Sequence, residues 1–434
     1  MQETLISVGR GILGLGFLVG VLWLISENRK AISWKLVAGG IFLQLLFALA
    51  VLKAPLVAQG FEFLGKAFVK IISFSGQGAE FLFKSFATDK IDSGLLNFVV
   101  IVVPTIIFFS ALTSLLFFWG ILQKVVYGIA WVMTKSLKLS GAESLSAASN
   151  IFIGQTEAPL VIRHYLPKMT RSEIHCIMVG GMATIAGGVL AAYIGFLGGS
   201  DAARQLLFAK HLLAASIMSA PAAVVAAKML VPQTETINSE MKISNDRLGS
   251  NFFEAIANGT IDGLKLAANV VAMLLVFIAF IALLNWLLDK GIGEWSGLNT
   301  WISETTGGKY SGFSLQFLLG YACAPVAWLV GVCSEDMVLV GQLLGEKTVL
   351  NEFYAYKTLG QYQFQGLFHS EKSIILATYF LCGFSNFASI GIQIGGIGSL
   401  APEKRSLISS LGFKALIAGT AASLFTAAIV GMLI

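Results

Sequence analysis

SGAESLSAASNIFIGQTEAPLVIR, residues 140–163, places a carboxylate and a cluster of amides between two strongly hydrophobic parts of the chain. Its polar side chains include those of Asn150, Gln155, Thr156 and Glu157. Ionisable and amide groups are costly at membrane depth, where they usually mark the path of a substrate or an ion. Because Gly154 and Pro159 bracket the cluster, a continuous helix is not expected to pass through it. The stretch predicts a re-entrant hairpin of two half-helices that meet at a polar tip, with a cytoplasmic loop as the alternative.

The composition of the whole chain is that of an integral membrane protein. Of its 434 residues, 56% are hydrophobic and only 12% are charged, whereas about 25% of the residues in a soluble globular protein are charged. Apolar runs near the ~20-residue spanning length recur along the sequence and predict an all-α polytopic membrane protein. The formal net charge of +5 is explained mostly by basic cytoplasmic loops, and we expect no nucleic-acid partner.

Eight apolar segments predict eight transmembrane helices. They cover residues 5–25, 36–52, 95–122, 174–197, 206–230, 264–288, 374–397 and 413–434. The connection after the first segment carries Arg29, Lys30 and Lys35. The positive-inside rule places this connection in the cytoplasm and the N-terminus outside.

Two further segments are too polar to span a membrane. Residues 56–74 combine an apolar stripe with a charged row of Glu62, Lys66 and Lys70, which predicts an amphipathic helix in the outer interface or against a partner subunit. Residues 231–263 contain a long polar run without apolar periodicity. We expect a linker and the lead-in to the next span there.

The order of span, polar hairpin, broken span and span occurs twice, at residues 95–230 and 264–434. The second hairpin is predicted at 314–357, with GEKTVLNEF (345–353) as its polar turn. GGMATIAGG (180–188) and CGFSNFASIGI (382–392) interrupt one span in each copy. The first copy starts outside and the second inside, so the repeats are inverted. Paired interrupted helices in inverted repeats indicate a secondary transporter with its site at the repeat interface.

The hairpin tips and the broken spans supply a neutral-to-acidic set of hydrogen-bonding side chains. The tips contribute Gln155, Thr156, Glu157, Asn351 and Glu352, and the broken spans contribute Thr184, Asn386 and Ser389. A phosphorylated or carboxylate substrate would require Arg or Lys in such a set. The set therefore predicts an uncharged polar solute, such as a sugar, nucleobase or nucleoside, with Phe384 as an apolar or aromatic face beside it.

Oxygen atoms near the first hairpin and the first break predict a sodium site. They belong to the side chains of Asn150 and Thr184 and to the carbonyls near Ile153 and Ile185. The carboxylates of Glu157 and Glu352 also admit proton coupling. The sequence contains no nucleotide-binding or hydrolase motif, so we predict that the protein is not an enzyme and that an ion gradient drives transport.

Four segments resemble the signature segments of bacterial concentrative nucleoside transporters. They are SAASNIFIGQTEAPLVIR (146–163), GGMATIAGGVLAAYIG (180–195), KTVLNEFYAY (347–356) and CGFSNFASI (382–390). The resemblance covers essentially the whole chain, and GQTEAP together with NEF-x-A is highly specific. It implies a sodium-coupled nucleoside importer of a bacterial inner membrane. A proton-coupled nucleoside symporter and a passive channel for small polar solutes remain the alternatives.

The resemblance further implies a homotrimer in which each protomer holds its own site. Residues 1–122 and 264–289 would form a scaffold that includes the interfacial helix, and 231–263 would be a linker. Residues 123–230 and 290–434, with both hairpins, would form a transport domain that moves across the membrane like an elevator.

The resemblance assigns roles to individual positions as well. Gln155, Thr156 and Glu157, with Val189, would address the nucleobase, and Leu266 would add an apolar contact from the scaffold. Glu352, Asn386 and Ser389 would bind the ribose hydroxyls beside Phe384, and sodium would be held by Asn150, Thr184 and the carbonyls of Ile153 and Ile185. Thr184 stands where some relatives have serine, which preserves the hydroxyl.

Overall fold

The computed structural model describes residues 2–83, 103–199, 201–238, 240–241 and 250–434, and these residues form helices and connections without a β-strand. The helices are α1 (Gln2–Leu24), α2 (Trp34–Lys53), α3 (Pro55–Phe83), α4 (Val103–Phe118), α5 (Ile121–Leu137), α6 (Gly141–Asn150), α7 (Ala158–Val161), α8 (Arg171–Ala183), α9 (Gly187–Gly198), α10 (Ala202–Leu230), α11 (Phe252–Trp286), α12 (Glu294–Ser296), α13 (Leu298–Thr305), α14 (Leu315–Leu329), α15 (Met337–Val349), α16 (Glu352–Phe364), α17 (Glu371–Leu381), α18 (Phe387–Leu400) and α19 (Arg405–Gly431). The all-α prediction is confirmed.

Several helices have the length and composition that a membrane crossing requires. Within the described residues these are Leu5–Leu24, Trp34–Lys53, Arg171–Gly198, Ala202–Leu230 and Pro402–Gly431. Helices α4 and α5 qualify together, but they are bent by 77° at their junction. The chain is therefore a multi-pass membrane protein, while the total of eight spans stays a prediction.

Three predicted segments differ from the observed helices. The predicted third span, 95–122, ends early because the chain turns at Gly120, which has φ +73, and its residues 95–102 lie outside the described part of the chain. The predicted linker, 231–263, is already helical from Phe252, since the Asn251 side chain caps α11 by accepting from Glu254 N at 3.0 Å. Residues 289–312, for which the sequence predicts an external loop, contain the short helices α12 and α13.

The predicted breaks in two membrane helices are confirmed. The first lies between α8 and α9 and the second between α17 and α18. The two breaks touch, because Phe384 N donates to Thr184 O at 3.2 Å and Ser385 Oγ donates to Met182 O at 2.8 Å. Gly383 permits this approach: its φ is +151, and a Cβ there would lie 2.8 Å from Met182 O.

Each polar hairpin segment contains two helices separated by a turn. In the first segment α6 and α7 flank residues 151–157, and Ser140 begins α6 with a capping box to Glu143. In the second segment α15 and α16 flank residues 350–351. The predicted second hairpin, 314–357, covers α14, α15 and the first turns of α16. Gly331, at φ +114, separates α14 from the hairpin, and α16 continues to Phe364.

The predicted amphipathic helix, 56–74, lies within the longer helix α3. Its Glu62 pairs with Lys66 at 2.9 Å and with Lys210 of α10 at 3.2 Å. Since Lys210 belongs to a membrane helix, the polar face of α3 is held against the bundle at that point.

Ion pairs connect several helix ends that the predicted orientation places in the cytoplasm. Glu27, in the α1–α2 connection, accepts from Arg171 Nη2 at 2.7 Å and contacts Lys414. The hydrogen bond from Arg171, helped by Lys414, lowers the pKa of Glu27 to about 2. The fully buried pair Lys228–Glu143 joins the end of α10 to the start of α6. A buried pair is costly to break by removing one partner, so this contact fixes the base of the first hairpin.

Candidate functional site

The tip of the first hairpin is bonded to the second broken helix. Gln155 Nε2 donates to Ser389 Oγ at 3.1 Å, and Gln393 Nε2 donates to Gln155 Oε1 at 3.1 Å. Gln393 also donates to the carbonyl of Met178 in α8, at 2.9 Å. The three side chains of this amide–hydroxyl cluster are buried. The cluster therefore ties the hairpin tip to both broken helices.

The tip of the second hairpin contacts the same broken helix at the N-terminus of α18. Glu352 Oε2 accepts from Asn386 Nδ2 at 2.9 Å, and Glu352 Oε1 accepts from Tyr193 OH at 3.1 Å. Asn386 Oδ1 accepts from Ser389 N at 2.8 Å and caps α18. Ser389 thus belongs to both contacts. A continuous polar network runs from the first tip through α18 to the carboxylate of the second tip.

A cavity of about 340 Å³ opens beside the first hairpin. Glu157 and Leu266 line it from opposite sides, the former from the hairpin and the latter from α11. Arg163 and Asp262 also line it, so its wall carries charges of both signs. Gly154 leaves room for the Glu157 carboxylate, because a Cβ at this position would lie only 2.3 Å from Glu157 Oε2. The cavity offers apolar surface and a carboxylate within one concave space, as small-molecule sites do.

The structure divides the predicted substrate residues into three groups. Gln155, Glu352, Asn386 and Ser389 form the polar network, and Glu157 and Leu266 line the cavity. Val189 is buried in the first turn of α9, whereas Thr156 and Phe384 are half-buried. The Cγ2 of Thr156 lies 3.1 Å from the Cβ position of Gly396 in α18, so Thr156 faces the same helix as Gln155. Among the described residues, no hydrogen bond joins the Glu157 carboxylate of the cavity to the polar network.

Two of the four predicted sodium ligands, Asn150 and Thr184, lie at the last turn of α8. Thr184 Oγ1 donates to Gly180 O at 3.0 Å, and Asn150 Nδ2 lies 3.2 Å from the Cβ position of Gly180. Asn150 Nδ2 donates to Ser146 O at 3.0 Å, while its buried Oδ1 has no hydrogen-bond partner among the described residues. Buried polar atoms are normally satisfied, and a free amide oxygen is a ligand that a hard cation accepts.

The other two predicted sodium ligands are backbone carbonyls near these side chains in the sequence. Ile153 and Ile185, whose carbonyls are these ligands, are both buried and lie within the hairpin turn and the helix break, respectively. Gly187 N donates to Phe152 O at 3.1 Å and joins the turn to the break. The residues present fit a sodium ion, because an unpartnered buried amide oxygen and a threonine hydroxyl face the same turn of α8.

Sequence reasoning missed two side chains that the structure places in the site. Gln393 supports the tip of the first hairpin, and Tyr193 holds Glu352 while it stacks on Tyr356 with ring centroids 4.2 Å apart. The signal for Gln393 was present, since it is the one amide in the apolar run ASIGIQIGGIG. Tyr193 carries no such signal, because tyrosine is common in apolar helices near their polar ends.

Three family models match the chain and together cover most of it. The model of the C-terminus of the Na+ dependent nucleoside transporter matches residues 211–431, and the model of its N-terminus matches residues 13–86. A model described as nucleoside recognition matches residues 99–200, which include the first hairpin and the first broken helix.

Individual relatives agree with the family models. An uncharacterized transporter of Haemophilus influenzae is 40% identical over 99% of this chain and 98% of its own length. Sodium/nucleoside cotransporter 1 of Rattus norvegicus is 38% identical over 94% of this chain, which spans 61% of that longer protein. A structure of CNTnw in an inward-facing substrate-bound state has a TM-score of 0.85 at 33% identity, with 98% of each chain covered. The chain therefore belongs to the Na+ dependent nucleoside transporter family, a family of membrane transporters and not of enzymes, with sodium as the coupling ion.

Proposed function

We propose that the protein imports nucleosides such as uridine by symport with sodium across the inner membrane of a bacterium. The observation that carries the proposal is the polar network that joins the two hairpin tips. It holds amides, hydroxyls and one carboxylate, and this set matches the donors and acceptors of a neutral sugar-bearing solute. The family of the chain supports nucleosides as the substrate class.

Each part of the nucleoside has its own set of partners in this proposal. Gln155, Thr156 and Glu157, with Val189 beside them, bind the nucleobase, and Leu266 provides an apolar contact from α11. Glu352, Asn386 and Ser389 bind the ribose hydroxyls next to Phe384. Tyr193 supports the assignment of Glu352, because its hydrogen bond and that of Asn386 hold the carboxylate in one orientation. A carboxylate has about four lone-pair sites, so acceptor capacity remains for hydroxyls of the substrate.

Sodium binds where the first hairpin meets the first helix break. Asn150, Thr184 and the carbonyls of Ile153 and Ile185 are its ligands in this proposal, which the unpartnered Oδ1 of Asn150 supports. Sodium would thus fix the turn of the first hairpin, the segment that carries the nucleobase ligands. Binding of the ion and of the nucleoside would then favour each other, as symport requires.

The transport step is an elevator movement within a homotrimer embedded in membrane lipid. The two hairpins and the broken helices are bonded to one another at their tips and breaks, which supports their movement as one body. The first three predicted spans, the predicted sixth span and the interfacial helix would form the stationary scaffold and the trimer contact.

Uptake by the purified protein in proteoliposomes tests the proposal. Radiolabelled uridine should accumulate above the outside concentration when an inward sodium gradient is imposed, and this uptake should saturate. Replacing sodium by potassium should abolish accumulation. Accumulation driven by a pH step without sodium would instead indicate a proton symporter, and equilibration without accumulation would indicate a passive channel.

A further inference from the structure

Lys347 is a buried cation whose role the proposed substrate and sodium sites do not explain. It lies in the last turns of α15, in the second hairpin, and its side chain is completely buried. Its Nζ donates to Phe380 O at 2.8 Å and to Ser423 Oγ at 3.2 Å. Among the described residues no carboxylate forms an ion pair with it. An ammonium group without a directly bonded carboxylate is costly to bury. The compensation comes from its two oxygen acceptors and from the Coulombic attraction of the Glu352 carboxylate in the same hairpin.

Both acceptors of Lys347 lie at the break of the second broken helix: Phe380 is part of it, and Ser423 of α19 is bonded to it. Phe380 lies in the last turn of α17, one residue before that helix ends, so its carbonyl cannot accept a bond from a fourth following helical residue. Ser423 Oγ, the second acceptor, itself donates to the carbonyl of Cys382, the residue that follows the end of α17, at 3.2 Å. The ammonium therefore sits against oxygen atoms of an unwound helix end, which is the environment that cations occupy in broken membrane helices.

Two bonds join the second hairpin to this break, one on each side of the turn. Lys347 precedes the turn at 350–351 and binds Phe380, which precedes the break. Glu352 follows the turn and binds Asn386, which follows the break. The two bonds together fix the turn relative to the break, and with it the orientation of the Glu352 carboxylate.

In the first repeat, the position that corresponds to Lys347 carries an amide side chain, that of Asn150. There Asn150 ends α6, as Lys347 lies near the end of α15, and it faces the last turn of α8 beside Gly180. Its Oδ1 has no hydrogen donor among the described residues. One repeat therefore offers an amide oxygen to an ion at this position, and the other repeat fills the position with its own ammonium group.

We infer that Lys347 serves the second repeat as a covalently attached cation in the position that sodium takes in the first, and that it positions Glu352 for the ribose. The inference rests on the proposed sodium and ribose sites. It makes the two hairpins unequal: the Asn150 end of the first hairpin needs sodium to complete its contacts, whereas the Lys347 end of the second hairpin has its contacts at every sodium concentration. The residues that bind the ribose are then in position before sodium binds. The residues that bind the nucleobase reach their final position only after sodium has bound.

The first test is the effect of Lys347→Met on two substrates in the proteoliposome assay. Since Lys347 acts through Glu352, the KM for uridine should rise about tenfold at saturating sodium, the loss expected for one misplaced hydrogen bond to a charged group. The KM for 2',3'-dideoxyuridine, which lacks both hydroxyls that Glu352 would bind, should change less than about threefold. Ser423→Ala is the matched control, because it keeps the ammonium and its bond to Phe380, and it should leave both values near those of the wild type.

The second test is the sodium dependence of Lys347→Asn, which places an amide oxygen at this position as Asn150 does in the first repeat. We expect the lost uridine affinity to return at high sodium, with the Hill coefficient for sodium rising from about 1 towards 2 because a second ion enters. An unchanged Hill coefficient, or equal effects of Lys347→Met on both substrates, would overturn the inference. Failure of the wild-type protein to take up uridine would instead refute the proposed function. Lys347→Arg keeps a cation, so a folded Lys347→Arg protein with the dideoxyuridine selectivity of Lys347→Met would also overturn it.

Discussion

The substitution Glu352→Gln tests the ribose site with the least change in shape. Glutamine keeps one oxygen and replaces the other by an NH2 group, so the two hydrogen bonds of Glu352 decide its orientation. Asn386 must keep donating, because its Oδ1 is already used by Ser389 N at 2.8 Å. Tyr193 can rotate its hydroxyl and accept instead of donate. The glutamine oxygen should therefore face Asn386, its NH2 group should face Tyr193, and the fold should be retained.

The cost of this change follows from the loss of charge. A hydrogen bond to a charged group contributes about 1.5–3 kcal/mol and a neutral one about 0.5–1.5 kcal/mol. Each ribose hydroxyl that loses a charged acceptor should therefore lose about 1–1.5 kcal/mol, or about 2–3 kcal/mol for two hydroxyls. At 1.4 kcal/mol for each factor of ten, uridine affinity should fall about 30- to 150-fold.

The assay compares half-saturating concentrations for uridine, 2'-deoxyuridine and 3'-deoxyuridine at saturating sodium. In the Glu352→Gln variant uridine should lose its advantage over both deoxy analogues, since the missing hydroxyl no longer meets a carboxylate. The matched control is Glu346→Gln, which alters another buried carboxylate of the same hairpin, bonded to Gln342 at 2.8 Å. Equal losses for all three nucleosides, or the same loss of selectivity in the control, would refute the ribose assignment.

Three further predictions address the proposed sodium site, the proposed nucleobase site and the ion cluster of Glu27 with Arg171 and Lys414. Asn150→Ala should raise the half-saturating sodium concentration of uptake at least tenfold, and a normal sodium response would exclude Asn150 as a ligand. Gln155→Ala should weaken competition by free uracil and by uridine to the same extent, whereas an effect on uridine alone would contradict its base role. Glu27 should stabilise the fold fully above its ordinary pKa of 4.5 and lose that effect as the pH falls towards its pKa of about 2 in the folded protein. Glu27→Gln should thus lower the unfolding temperature in detergent at pH 7 more than at pH 3, and an equal decrease at both pH values would contradict the ion cluster.

The sequence predicted the broken helices well because their signal is local. GGMATIAGG and CGFSNFASIGI combine glycines with hydroxyl and amide side chains inside apolar runs. Such residues destabilise a continuous helix whatever surrounds it. Both breaks lie within these two segments. The polar tips were visible for the same reason, since each holds an amide next to a carboxylate in an otherwise apolar chain.

The contacts between distant segments were not predictable from local patterns. The bond between Gln393 and Gln155 joins residues 238 positions apart, and nothing near either residue specifies the other. The segment predicted as the second hairpin, 314–357, also contains a bend at Gly331 between α14 and α15. Hydrophobicity alone does not reveal this bend. Lys347 was overlooked because its partners, Phe380 O and Ser423 Oγ, are a backbone atom and a distant serine.

The contact between the two breaks gives a physical route by which the ion and the nucleoside influence each other. Thr184, a proposed sodium ligand, accepts from the backbone N–H of Phe384, which lies beside the proposed ribose site. Ser385 Oγ adds the bond to Met182 O. Sodium that fixes the first break would therefore order the contact of that break with the second one, which Lys347 already holds, and linkage requires the effect to be mutual. Uridine affinity measured with and without sodium, and sodium affinity measured with and without uridine, should change by the same factor. In Ser385→Ala, which removes one of the two bonds, that factor should decrease in both directions while each ligand alone binds as in the wild type. An unchanged factor in this variant would mean that coupling passes through other contacts, and the two breaks would then be a structural junction only.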